Sequence, residues 1–249
     1  MIPLTENDKA FHEWQLDNAG FGLAGQQKLK NATALVSRVG GLGGVLAFEL
    51  AAAGFGRIIL AHEGNLKPSD LNRQTLMTQA GLGQPRVYQA KETLNRFKND
   101  IEVIAIPENI NEKNAKDLVS QADIVFDCAP LFEERFLMNR ECVLQKKPLV
   151  DCAMYHMEGQ LVNILPSQNT PCLQCIFPEK PDHWKRKFPV FGAVAAVVAS
   201  LGALEGIKII ADLPNVLTNQ MLYFNAINHS YVKIPVKKRV DCKICQINH

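Results

Sequence analysis

Apolar positions along this chain follow two rhythms. Up to about residue 150, short apolar runs alternate with stretches of helical period. Thr33 to Ser37 is such a run, and it enters a cluster of Gly40, Gly41, Gly43 and Gly44. A helical pattern follows from Val45 to Ala53, Gly54 and Gly56 stop it, and a second apolar run spans Arg57 to Ala61. Short continuous runs predict buried strands, and the 3.6-residue pattern predicts helix. The alternation continues with a helix over Arg86 to Phe97, a strand over Ile101 to Ile106 and a short helix over Lys113 to Val119. A strand over Ile124 to Cys128 and a helix over Glu133 to Leu144 follow. After the break at Lys147 and Pro148, a strand covers Leu149 and Val150. This β/α alternation predicts a mostly parallel sheet flanked by helices.

The flanks read differently. Residues 1–30 predict one or two helices, with Phe11, Trp14, Leu16, Phe21, Leu23 and Leu29 as apolar contacts and Gly20, Gly22 and Gly25 as interruptions. After Asp151, the segments Glu158 to Leu165 and Leu222 to Ile234 alternate at period two, as antiparallel strands do. Between them Val190 to Leu204 is a long apolar run, expected as a buried helix. The predicted class is α/β and Rossmann-like, a mostly parallel sheet with an antiparallel extension. One domain is expected over 1–249: N-terminal helices at 1–30, a nucleotide-binding βα half at 31–150 and a second half at 151–249.

Strand, glycine turn, helix, strand is an arrangement that holds nucleotides. Glycines let backbone N–H groups approach phosphate oxygens, and the helix N-terminus adds positive potential. The same turn also serves tight helix–sheet packing alone. The polar loop from His62 to Gln74 follows the second strand, on the edge where doubly wound sheets bind ligands.

Composition narrows the partners. The 249 residues are 47% apolar, ample for a core, and a net charge of +2 gives no global pull toward nucleic acid or anionic membrane. The polar, acidic start does not read as a signal peptide. Val190 to Leu204 is short for a membrane span, and Glu205 and Lys208 follow it. A cytoplasmic protein is expected, with neither nucleic acid nor membrane as partner. In that setting seven cysteines are metal ligands or nucleophiles more often than disulfides.

Four of them form two CxxC pairs, Cys172 with Cys175 and Cys242 with Cys245. Two pairs give the four thiolates that tetrahedral zinc needs, so a closed structural zinc site is expected. Unrelated turns or a redox motif are the alternatives. Cys128, Cys142 and Cys152 have apolar neighbours and read as buried, inert thiols.

Eight motifs stand together: VGGLGG (Val39–Gly44), AAAGFGRIIL (Ala51–Leu60), DLNRQTL (Asp70–Leu76), GQPRV (Gly83–Val87), DCA (Asp127–Ala129), MEGQ (Met157–Gln160), PCLQC (Pro171–Cys175) and DCKIC (Asp241–Cys245). Over nearly its whole length the chain resembles the MoeB/ThiF/HesA family, and within it the HesA-like branch. The resemblance implies ATP and magnesium as ligands and a homodimer. It also implies adenylation of a carboxylate, such as the C-terminus of a ubiquitin-like sulfur carrier or another small acceptor. Gly40, Gly41, Gly43, His62, Asn72, Arg73, Gln74 and Arg86 are then the expected nucleotide residues. Arg73, Arg86 and Asp127 are expected to act on the reaction, with Asp127 or Glu134 helping to hold magnesium. Guanidinium groups suit phosphate through paired hydrogen bonds.

The chain departs from the family pattern at defined places. Arg38 replaces a turn glycine, His62 the acid that holds ribose hydroxyls, Gly64 the next acidic position of that loop, and Pro130 a metal-binding aspartate. Trp14 stands for an arginine lent to a partner subunit, and Arg86 for a lysine. The thioester cysteine that some members carry is missing from the segment with Lys185, Arg186 and Lys187. Other readings are a non-catalytic nucleotide-binding scaffold in cofactor assembly, which the missing acids favour, and a dinucleotide oxidoreductase, which His62 disfavours.

Overall fold

The structure, a computed structural model, describes residues 1–182 and 188–246. The described strands form one sheet in the order β3-β2-β1-β4-β5-β6-β7-β8. Strands β1 (Thr33–Ser37), β2 (Arg57–Ala61), β3 (Glu102–Ile106), β4 (Ile124–Asp127) and β5 (Leu149–Tyr155) are parallel. Strands β6 (Glu158–Ile164), β7 (Gln220–Asn225) and β8 (Ser230–Pro235) continue it antiparallel. β1 lies between β2 and β4, so the chain reverses its winding there, and a crevice opens beyond the strand C-termini.

Helices α1 (Glu6–Phe11), α2 (Glu13–Leu16) and α3 (Gly22–Asn31) precede the sheet; α4 (Gly41–Ala53) and α5 (Arg86–Phe97) follow β1 and β2. The remaining helices are α6 (Ala115–Ser120), α7 (Phe132–Leu144), α8 (Leu173–Ile176), α9 (Gly192–Ile210) and α10 (Lys243–Gln246). Alternate strand residues feed two core layers, as the period of two requires. Val36, Leu60, Phe126 and Val150 pack with α4 and α9, whereas Leu35, Ile59, Val125 and Leu149 pack with α6 and α7.

Several boundaries differ from the sequence expectation. Helix α4 starts at Gly41 rather than Val45, because the glycine cluster is itself the first turn. A side chain at Gly43 would strike the Arg38 carbonyl oxygen. Strand β5 runs on to Tyr155, five residues past Val150, because β6 pairs along its whole length. Leu222 to Ile234 is two strands, β7 and β8, rather than one. Gly22 and Gly25 lie inside α3; at Gly25 a side chain would strike the Phe21 ring. Trp14 and Leu23 are exposed, while Phe11, half-exposed, packs edge-on against the Phe97 ring at 6.0 Å.

Helix α9 begins at Gly192 and ends at Ile210. By length and composition it would suffice to cross a membrane, but it packs on α4, β5 and β6. Its small residues admit the chain's own core: Gly202 lies against Cys152 and Gly206 against the Phe126 ring.

Candidate functional site

Beyond β1 the backbone turns at Arg38 with φ +62°, a region that glycine enters freely and other residues rarely. Arg38 occupies it because its side chain is anchored on α7. Its Nε donates to Glu134 Oε2 and its Nη2 to Glu134 Oε1, both at 2.7 Å. The Gly40 N–H closes the turn on the Arg38 carbonyl at 2.6 Å. Among the described residues no side chain caps the N-terminus of α4, so its first amides are available to an acceptor, and the helix dipole favours an anion.

A cavity of about 250 Å³ opens over this turn. Gly40, Gly41, His62, Arg73, Gln74 and Arg86 line it, together with Ala129, Pro130, Met154 and Phe188. Asp70 organises the cationic wall. Its Oδ1 accepts from Arg73 Nη2 at 3.1 Å, and its Oδ2 from Arg86 Nη2 at 2.8 Å and from the Lys67 amide at 3.0 Å. Arg73 Nη1 also donates to the Ser69 carbonyl at 2.6 Å, and Arg86 Nη1 lies 3.3 Å from His62 Nε2. Two buried polar atoms of the lining, Gln74 Oε1 and Arg86 Nε, have no hydrogen-bond partner among the described residues. Buried polar groups are normally satisfied, so a ligand with both donor and acceptor atoms fits this wall.

Of the expected nucleotide residues, Gly40, Gly41, His62, Arg73, Gln74 and Arg86 line the cavity, and Gly43 and Asn72 do not. Asn72 is exposed, bonds to Arg73 Nη1 at 3.0 Å and is not part of the cavity lining. Asp127 lies beneath the floor, fully buried. Its Oδ1 accepts from the Ala129 amide at 2.9 Å, and its Oδ2 is 3.5 Å from Arg135 Nε. The β4–β5 register sets Asp127 opposite Asp151, and Arg135 Nη2 donates to both Asp151 oxygens at 2.7 Å. Burial and the charge of Asp151 push the Asp127 carboxyl well above the ordinary carboxylate range. Glu134 is held by Arg38. Burial likewise raises the thiols of Cys128, Cys142 and Cys152, which disfavours the nucleophilic thiolate. Lys185, Arg186 and Lys187 lie outside the described residues.

Sequence reasoning gave no role to Asp70, Arg135 or Asp151. Asp70 had a local signal, since it stands three residues before Arg73 in the polar loop. Arg135 and Asp151 had none, because only the strand register brings a helix residue to a residue of another strand.

The second centre lies apart, against α7 and α10. The sulfurs of Cys172, Cys175, Cys242 and Cys245 all lie within 4.8 Å of one another, and all four residues are buried. Neighbouring pairs are 3.5 Å apart (Cys172–Cys242 and Cys175–Cys245) and 3.9 Å apart (Cys172–Cys175). Tetrahedral zinc with Zn–S near 2.3 Å sets its sulfurs about 3.8 Å apart, so the set fits that ion. The Arg239 amide approaches Cys175 Sγ at 3.4 Å. The Cys175 thiol is lowered to about 4, first by its hydrogen bond with Cys172. No fifth protein ligand is needed, so the centre is closed, as structural zinc sites are.

Fold and site together define a Rossmann-like α/β protein with an anion-accepting cleft at its switch point and a four-thiol centre. The chain belongs to the ThiF family, whose model matches residues 12–244. It is 44% identical over 245 residues to a HesA protein (heterocyst) of Trichormus variabilis, covering 98% of this chain and 91% of that one. It is 34% identical over 247 residues to the adenylyltransferase and sulfurtransferase MOCS3 of Drosophila virilis, covering 97% of this chain but 55% of that one. Among solved structures, E. coli MccB with ATP superposes with TM-score 0.82 at 23% identity, over 97% of this chain and 75% of that chain. At that identity the likeness is one of fold.

Proposed function

We propose that this chain is an ATP-dependent adenylyltransferase that activates a carboxylate. The observation that carries the reading is the cationic wall of Arg73 and Arg86 facing the uncapped glycine turn of α4. Its support from relatives is the adenylyltransferase activity in the name of MOCS3 and the ATP complex of MccB. In this reading the α4 amides and Arg73 hold the triphosphate, and Arg86 and Gln74 bind farther along the same wall. The acceptor's carboxylate oxygen attacks the α-phosphorus, the bond to the bridging oxygen breaks, and pyrophosphate leaves with its electron pair. Preorganised donors stabilise the charge that builds on the phosphate oxygens. Magnesium would supply further charge neutralisation on the phosphates. Asp70 is the carboxylate of the cleft lining, and Asp127 lies with Arg135 and Asp151 in a buried cluster.

The acceptor is a protein tail or a small acid. Membership of the ThiF family makes the C-terminal carboxylate of a carrier the candidate acceptor in this proposal. A homodimer is part of the proposal: Phe191 just before α9, Leu204 on α9, and Tyr231 and Val232 on the edge strand β8 are exposed apolar side chains that a second copy can cover. Light scattering at micromolar concentration should give twice the 27.6 kDa chain mass.

A second reading, nucleotide binding without transfer in a cofactor-assembly scaffold, is favoured by Pro130 and by the pairing of Glu134 with Arg38. Pyrophosphate release from ATP, dependent on a carboxylate acceptor, decides between them. Release that stops with Arg73→Ala supports transfer. ATP binding with no release across a panel of carrier tails and small acids supports the scaffold.

A further inference from the structure

Helix α7 packs on β4 and β5. The sheet register sets Ala153 of β5 beside Gln160 of β6, and Gln160 beside Tyr223 of β7. Residues paired in this way share a face of the sheet. All three line a second cavity of about 240 Å³, together with Phe132 and Phe177. This cavity adjoins the cleft, since Arg135, Ala153 and Met154 line both. One ligand can therefore reach into both.

The charges of the second lining already have protein partners. Arg135 Nη2 donates to both Asp151 oxygens at 2.7 Å, and its guanidinium lies 4.9 Å from the centre of the Phe132 ring. Glu158 is held by the Tyr223 hydroxyl and by Asn225, whose Nδ2 donates to Glu158 Oε1 at 3.4 Å. Neither charge calls for a counter-ion on a ligand, and Glu158 repels a second carboxylate. Aromatic and aliphatic surface remains. The Phe132 and Phe177 rings meet edge-on at 5.4 Å, and Met154 belongs to the same lining. Such surface is best covered by apolar groups. An apolar cavity of about 150 Å³ takes up a benzene ring, so this one has room for a large side chain.

We propose that the second cavity is a specificity pocket for a large apolar side chain, aromatic by preference, carried by one of the last two residues of the acceptor's carboxyl-terminal tail. The tail's carboxylate then stands in the cleft and the side chain in the adjoining cavity. This deepens the acceptor reading given above and rests on it. It makes Gln160 and Tyr223, which line the second cavity and not the cleft, specificity-determining residues.

The test is calorimetric titration of the full chain, in the presence of α,β-methylene-ATP, with short N-acetylated peptides that differ only in their last two residues. Tails ending Phe-Gly or Gly-Phe are compared with Gly-Gly and Asp-Gly, and with phenylacetate as a small acid. One aromatic tail should bind tighter than Gly-Gly by on the order of tenfold or more, the worth of burying one large apolar side chain. Asp-Gly should bind no better than Gly-Gly. Gln160→Trp fills the cavity and should remove the preference while leaving the affinity for Gly-Gly unchanged. The wild-type ranking stands even if that variant does not fold. Equal binding of the glycine and aromatic tails, or a preference that survives in folded Gln160→Trp, overturns the proposal and leaves the acceptor reading intact. Binding of phenylacetate with no tail bound makes the occupant a small aryl acid and overturns the tail. Binding of the nucleotide with neither tail nor acid bound removes the acceptor reading and the proposal with it.

Discussion

The cleft and the four-cysteine centre are both assembled from distant parts of the chain, yet they meet their charges in opposite ways. In the cleft each arginine already has a protein partner: Arg38 has Glu134, Arg73 and Arg86 share Asp70, and Arg135 has Asp151. The wall is held in shape before any ligand arrives, and the ligand completes only a few remaining atoms such as Gln74 Oε1. In the cysteine centre four sulfurs converge on one point, and the nearby Arg239 is itself paired with Asp241. A preorganised wall exchanges ligands without refolding, whereas a set of converging thiolates depends on its ion for its own stability.

The comparison breaks most visibly at the cysteines. Cys242→Ser should lose the one zinc expected per chain and lower Tm by on the order of 10 °C, the shift that a loss of about 3–5 kcal/mol gives a domain of this size. Metal analysis and calorimetric scanning check it. A folded preparation without zinc, or a disulfide among the four cysteines, would remove the structural role.

Gly43→Ala is the corresponding break in the cleft. The new side chain meets the Arg38 carbonyl and the side chain of Cys128, so the turn must shift. A loss of about 1–3 kcal/mol, seen as a fall of a few degrees in Tm, is expected. ATP affinity should fall further than stability does, which a titration of the variant reads. Equal ATP affinity in the variant would show that the turn only packs.

How much of this was legible follows from where each signal resides. The paired CxxC motifs carry their chemistry in local spacing, so the metal centre could be read without a fold. The glycine turn and Arg73 were readable because loop and turn both sit at the ends of adjacent strands. Asp70, Arg135 and Asp151 act through pairing across elements, and residue identity alone does not reveal a pairing. Asp127 shows the same limit from the other side. A motif placed it in the site, but its strand position puts it under the floor.

Asp127 also gives a smaller test. Its carboxyl is held well above the ordinary value by burial and by Asp151. At pH 7 the unfolded chain carries it ionised, while the folded chain must either bind a proton or bury a second charge. That is a cost to folding, present above the ordinary value of 3.8 and relieved as pH falls below it. Asp127→Asn removes the cost while leaving Arg135 its partner Asp151. Tm should rise by roughly one to three degrees at pH 7, with the gain vanishing below pH 4 in scans across that range. A fall in Tm at pH 7 would mean that the charge of Asp127 is needed by Arg135.

The smallest expected effect is none. Cys128, Cys142 and Cys152 are buried with raised thiols, so intact-mass spectrometry during turnover should find no thioester or persulfide on the chain. An adduct on any of the three would make the cleft a covalent site.

The most direct test of the account is a titration of ATP with magnesium into the wild type and Arg73→Ala at matched zinc content. The account predicts binding in the wild type and a weakening of roughly 10- to 100-fold in the variant, the worth of a charge-assisted contact to phosphate, with Tm and zinc unchanged. Equal affinity in the two proteins would contradict it.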